Sequence, residues 1–162
     1  MTPIDWAKRP IQKYADFSGR APRAEYWWWT LAIIVVAIVI SIIESILGLN
    51  QMVGPYGPLS LIFMLALLVP GLAVTVRRLH DTNRSGWWML VAVIPYAILG
   101  FMAGSATASG DMSAMATAGL FGIVALVGAI VLLVFMVLPG NKGDNRFGPD
   151  PYAGGTTSAA TA

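Results

Sequence analysis

The sequence predicts an all-α integral membrane protein: a bundle of four transmembrane helices, both termini cytoplasmic, with an amphipathic segment ahead of the first span. Three observations predict it. The 162 residues are 57% hydrophobic and 11% charged, with a mean hydropathy of +0.71, whereas a soluble domain carries about 25% charged residues. The charges are clustered, and none lies between Glu44 and Arg77, between Arg84 and Asp111, or between Asp111 and Lys142. All ten Lys and Arg precede the first apolar run, separate the second from the third, or follow the fourth.

A helix needs about 20 apolar residues to cross the hydrocarbon. The runs that supply them are 26–49, 59–76, 87–102 and 119–138. Each is read as a helix because lipid offers the backbone no hydrogen-bond partner. The first run starts only after a long polar lead and has no small-residue cleavage site behind it, so it reads as a retained helix. The third is short and holds Pro95, which leaves a tilted span or one extended through Gly104. The loops at 50–58 and 103–118 carry no Lys or Arg, so the positive-inside rule puts the basic clusters in the cytoplasm. An even number of spans is what allows all ten to share one side. Residues 1–152 form one membrane domain, and the small, polar stretch 153–162 is expected to be disordered.

Tryptophan supports this topology. Trp27, Trp28, Trp29, Trp87 and Trp88 fall where spans one and three leave the cytoplasmic surface, the depth indoles prefer. Trp6 belongs to the N-terminal segment, where Ile4, Ala7, Ile11, Tyr14 and Ala15 roughly follow helical spacing, interleaved with Lys8, Arg9 and Lys13. That pattern suits a helix lying on the membrane, divided or started by Pro10.

The composition narrows the chemistry. Without cysteine there are no thiolate nucleophiles or thiolate metal sites, and the single histidine, His80, cannot build a multi-histidine site. No catalytic residue, metal or cofactor is assigned, and no nucleic-acid partner is expected.

Three polar segments remain. In the first, 17–27, Pro22 can sit in a first helical turn and Glu25 lies near its positive end; Arg20 and Arg23 there are anchors or an anion site. In the second, 77–88, Arg77 and Arg78 stand four and three residues before Asp81 and can pair with it. Asn83 or Ser85 can cap the third span. His80 beside Asp81 is read as a strut in preference to a proton-transfer pair. The third segment, 139–151, is rich in Gly, Asn and Pro and must turn; it is expected to fold back over the bundle ends. Within the spans, Ser41, Glu44, Ser45 and Gly48 form a narrow stripe near the outer end. Glu44 there either snorkels to the interface or lines a path. Pro70-Gly71 suggests a kink, and Gly100/Gly104, Ala118/Gly122 and Ala125/Ala129 suit close helix packing.

FSGRAPRAEYWWW, RRLHDTNRSGWW and NRFGPDP, in this order and separated by apolar spans, resemble the bacterial inner-membrane family called domain of unknown function 805. The resemblance covers roughly Trp6 to Tyr152, and the Ala-rich outer loop around Asp111 departs from it. It implies a multi-pass inner-membrane protein with these loops in the cytoplasm, and it carries no reaction, ligand or catalytic residue.

The sequence therefore points to a non-enzymatic membrane module. Its basic, Trp-rich cytoplasmic face would bind anionic lipid headgroups or a partner protein, a second copy or another membrane protein. The contacts would be Arg20, Arg23, Arg77, Arg78, Arg84 and Arg146. Glu25, His80, Asp81, Asn83, Asp144, Asn145 and Asp150 would form a structural polar cluster. The alternatives are a small transporter or channel subunit using Glu44 and the Pro70 kink, and an enzyme on a lipid phosphate centred on His80 and Asp81.

Overall fold

The computed structural model describes residues 1–49, 52, 56–109 and 112–153. Among them every regular element is helical: α1 (Pro3–Gln12), α2 (Arg23–Ile46), α3 (Pro58–Asp81), a 3-10 turn (Gly86–Met89) that runs into α4 (Leu90–Ser109), and α5 (Met112–Val137). Four stretches, Arg23–Ile46, Pro58–Asp81, Gly86–Ser105 and Ala116–Val137, are long and apolar enough to cross a membrane. Large apolar side chains face outward along all four, as lipid-solvated helices require.

Several starts and stops have a local cause. Thr2 caps α1 through Asp5 N, and the Asp5 carboxylate returns to Thr2 N at 2.8 Å, a capping box with Pro3 in the first turn. Pro10 neither divides nor starts this helix; it lies in the last turn. α2 ends at a left-handed Gly48 (φ 68°). α3 starts at Gly57-Pro58, and the Glu44 carboxylate of α2 accepts Leu59 N at 2.7 Å, Ser60 N at 2.9 Å and Ser60 Oγ at 2.5 Å. Glu44 is 1% exposed, so it neither snorkels nor stands free; it caps the next helix, whose positive end favours a carboxylate. A Cβ on Gly57 would fall 2.2 Å from that carboxyl. α3 closes with Asn83 at φ 57° and Arg84 N bonding Leu79 O at 2.9 Å. Ser85, not Asn83, caps the following turn, through Trp87 N.

Three boundaries differ from the sequence reading. α3 continues past 76 to Asp81, so Arg77 and Arg78 are helical residues inside the protein. α4 runs through Pro95 to Ser109 and α5 begins at Met112, so most of the segment expected as an outer loop, 103–118, is helix. Pro70 lies within a continuous α3. Proline cannot donate to the carbonyl four residues back, and the orphaned Ala66 O instead accepts Tyr14 Oη at 2.5 Å. Asp111, Pro55 and the tail expected at 153–162, Ala153 apart, lie outside the described residues.

Two sub-assemblies result. α1 packs on α2, and α2 on α3 around Ala21, Trp29 and Val74. Trp29 is thus a core residue, while Trp27, Trp28, Trp87 and Trp88 are exposed. α4 packs mainly on α5. There Gly128 meets the Val91 backbone so closely that a Cβ would lie 2.3 Å from Val91 O. Ala118 and Ala125 are buried, whereas Gly100 and Gly104 have open space beyond them.

Candidate functional site

The polar end of the bundle concentrates charge away from solvent. Arg20, Glu25, Arg77, Arg78 and Asp81 are all buried. A buried charge needs a partner, and the helices supply two separate sets.

Asp81, at the last position of α3, is the hub of the first set. Its Oδ1 accepts Arg20 Nε and meets Arg20 Nη2, both at 3.0 Å, and its Oδ2 pairs with Arg78 Nη1. The two arginines spend their remaining N–H groups on backbone. Arg20 donates to Gly143 O at 2.6 Å and Asn141 O at 2.5 Å. Arg78 donates to Met136 O at 3.2–3.3 Å and to Leu138 O. Carbonyls at a helix C-terminus have no intrahelical partner and carry negative potential, so Arg78 is the C-cap of α5. Arg23 adds a bond from Nε to Leu138 O at 3.0 Å. Asn141 N donates to Asp81 O at 2.8 Å, and a Cβ on Gly140 would sit 2.1 Å from Asp81 Oδ2. Only glycine fits there.

The second set joins three elements. Glu25 of α2 faces Arg77 of α3 at 2.9 Å and Arg9 of α1 at 3.4 Å. Neither Glu25 carboxylate oxygen has an aligned donor, so charge and proximity hold this set. Arg77 therefore pairs away from Asp81, and Arg78 alone makes the intrahelical pair.

The segment after α5 lies over the first set. Asn145 Nδ2 donates to His80 O at 2.9 Å, and Arg146 to Asn83 O at 3.3 Å. Phe147 stacks on the His80 ring, centroids 3.9 Å apart. Asp144 Oδ1 accepts Asp150 N, and Asp150 accepts Gly143 N and Tyr152 N, all within 2.8–2.9 Å. Those two backbone donors hold the Asp150 carboxyl below its usual range. Before α2, hydrogen bonds from Ser18 bring the Asp16 carboxyl down to about 2. His80 Nδ1 bonds Gly19 O at 3.1 Å; since a carbonyl only accepts, Nδ1 carries the hydrogen. His80 and Asp81 are adjacent in sequence yet serve different contacts.

The six arginines named from sequence thus divide. Arg20, Arg77 and Arg78 are interior struts, closed to lipid and solvent. Arg23 and Arg84 are half-buried and Arg146 is exposed; Arg84 lies over the Phe135 ring and Arg146 over Phe147. Sequence reasoning missed Arg9 as a partner of Glu25, Gly140 as the neighbour of Asp81, and Tyr14 as the donor to Ala66. Tyr14 read as one of the apolar positions of the N-terminal segment, which gave no signal for that last role.

The chain matches the family described as "Protein of unknown function (DUF805)" over residues 14–149. It is 36% identical to the inner membrane protein YhaI of Escherichia coli (strain K12) over 151 residues, covering 93% of this chain and 98% of that protein. It is 33% identical to the inner membrane protein YhaH of the same strain over 148 residues, covering 91% and 97%. No solved structure matches.

Proposed function

The chain belongs to the DUF805 family and is a multi-pass inner-membrane protein, and from that premise we propose that it is a non-enzymatic membrane module whose basic, Trp-rich end faces the cytoplasm and holds anionic lipid headgroups. One observation carries the reading. After the internal pairs are formed, Lys8, Arg23, Arg84, Lys142 and Arg146 have no carboxylate within ion-pairing distance among the described residues. They surround the same end as the outward-facing Trp27, Trp28, Trp87 and Trp88. A basic residue near an anionic leaflet contributes about 1 kcal/mol, and indole rings favour that depth.

Two further facts favour binding over the alternatives. Glu44, on which a transport path would draw, is occupied as the α3 cap. The His80 ring and the Asp81 carboxylate serve different partners, which speaks against their use as the pair of a hydrolytic centre.

The test is retention of lipid by the detergent-purified protein, followed by native mass spectrometry. Phosphatidylglycerol and phosphatidylcholine with identical chains would be supplied in equal amounts. Wild type is expected to keep phosphatidylglycerol in excess, and the triple variant Arg84→Gln, Lys142→Gln, Arg146→Gln to lose that excess. Equal retention of the two lipids by wild type would refute the reading. If one membrane protein were then enriched by cross-linking in cells, the partner-protein alternative would take its place.

A further inference from the structure

Two cavities follow one stripe of α3. The lower, of about 490 Å³, lies between the α2–α3 and α4–α5 pairs and is walled by Leu67, Gly71, Leu72, Met89, Val93 and Leu132 among others. The upper, of about 350 Å³, is walled by Phe17, Val76, His80, Ser85 and Trp87. They share Met89. Leu68, Leu72, Val76 and His80 recur every four residues on α3, so the cavities are stacked along one helix face.

The two differ in chemistry. Among the described residues lining the lower cavity, Thr75 alone has a side-chain oxygen or nitrogen, and its hydroxyl already donates to Gly71 O at 2.8 Å. Water there would lack the two to four partners it needs. The bilayer offers the other filling, a hydrocarbon chain. The upper cavity lies at the basic end, and Ser85 and His80 are polar side chains set in its wall among Phe17, Val76, Met89 and Leu90. Ser85 Oγ accepts Trp87 N, which leaves its hydrogen free to donate, and His80 shares the Phe147 ring with Arg146. Arg84 and Arg146 do not line it, but Arg84 precedes Ser85, Arg146 lies on the Phe147 ring that stacks on His80, and both lack carboxylate partners among the described residues, so positive charge lies near this cavity and favours an anion.

We infer that the groove seats one phospholipid of the surrounding bilayer, with an acyl chain in the lower cleft and its phosphate in the upper cavity against the Ser85 hydroxyl. The volumes fall in the range of about 300–1,000 Å³ typical of ligand sites. This deepens the lipid reading above and rests on it for the identity of the ligand class; it adds a defined seat where that reading needs only a surface. Phosphate is common to all phospholipids, so the seat holds phosphatidylcholine as well as phosphatidylglycerol.

Native mass spectrometry with the same two lipids, supplied singly, tests the seat. A Cβ on Gly71 meets nothing within 4 Å, so Gly71→Leu fills the cleft from α3. Val93→Phe fills it from the opposite wall, at a partly exposed position. Wild type is expected to keep one tightly held phospholipid of either kind, and each filling variant to hold it about tenfold more weakly. Ser85→Ala is expected to weaken both lipids alike, and millimolar inorganic phosphate to leave the lipid in place. Monodisperse elution and an unchanged helical spectrum qualify each variant; Val93→Phe decides the matter should Gly71→Leu misfold. Undiminished retention by a folded filling variant overturns the seat. Retention of one lipid, expelled by filling, without phosphatidylglycerol preference upholds the seat and removes the surface reading. A persistent preference with no effect of filling does the reverse.

Discussion

Replacing Asp81 with asparagine removes the carboxylate shared by Arg20 and Arg78, and all three side chains are buried. The asparagine amide keeps one oxygen for one guanidinium and points its NH2 at the other, donor against donor. Removing one member of a buried ion pair costs about 3–5 kcal/mol. Backbone carbonyls still hold part of each guanidinium, so the lower bound applies, and about 3 kcal/mol is a shift of roughly two decades in the folded-to-unfolded ratio. The assay is reversible unfolding in mixed detergent micelles, read by fluorescence of the tryptophans, whose buried member Trp29 reports the α2–α3 core. Coupling is the sharper measure: in an Arg78→Gln background the same change should cost less by about 0.5–3 kcal/mol. An Asp81→Asn protein within about 0.5 kcal/mol of its parent would show that the hub is spread over the backbone carbonyls and not centred on the carboxylate.

Other outcomes follow from the same contacts. Glu44→Ala uncaps α3 and is expected to cost about 1–2 kcal/mol or more, with Glu44→Gln costing less; an unchanged melting temperature for Glu44→Ala would contradict the cap. Tyr14→Phe leaves Ala66 O unpaired beside Pro70, a loss of about 1 kcal/mol, read as faster amide exchange in α3 below Pro70. The Asp150 carboxyl lies below its ordinary value in the folded state, so its contribution is present above the unfolded value and is lost as pH falls through the folded one. The segment 143–152 should stay protected from hydrogen exchange near neutrality and open only in acid, while Asp150→Asn should open it at neutral pH too. Reporter fusions at residue 1, near 55, near 83, near 111 and at 162 are expected to report inside, outside, inside, outside, inside; an inside signal near 55 or 111 would reverse the assigned orientation.

The spans were legible because lipid imposes one rule on every residue that faces it, and a run of apolar residues expresses that rule without knowledge of partners. The polar end was legible only as a collection. Charge spacing within one helix identified the Arg78–Asp81 pair, yet it gave Arg77 the same acid, because nothing local shows that Glu25 of another helix stands 2.9 Å away. Glu44 read as a residue reaching for water, since its partners are backbone N–H groups of a helix that starts after a connection of unknown path. Trp29 looked identical to Trp27 and Trp28, and only the α2–α3 crossing decides which indole turns inward. Pro95 lies inside the third span as expected, whereas the 103–118 stretch was misjudged because alanine, serine and glycine in lipid sustain a helix that in water would fray.

Among lipids, apolar contact barely distinguishes helix from tail, so helices must be joined by polar pairs or close backbone approach. α2 and α3 use the first device at both ends, Glu25–Arg77 at one and the Glu44 cap at the other. α4 and α5 use the second, through Gly128 and Val91. Between the pairs the joints lie at the basic end, where Arg78 of α3 grips the end of α5, Asp81 O receives Asn141 N, and Gly86 packs closely on Val76. Toward the far end Ile33, Phe63 and Leu132 face a gap where no such joint appears among its lining residues. The arginines are therefore fasteners first, and their buried pairing concentrates the pairs' attachment at one end. The cleft is the consequence of that placement, which is why a lipid seated there would stabilise the assembly itself.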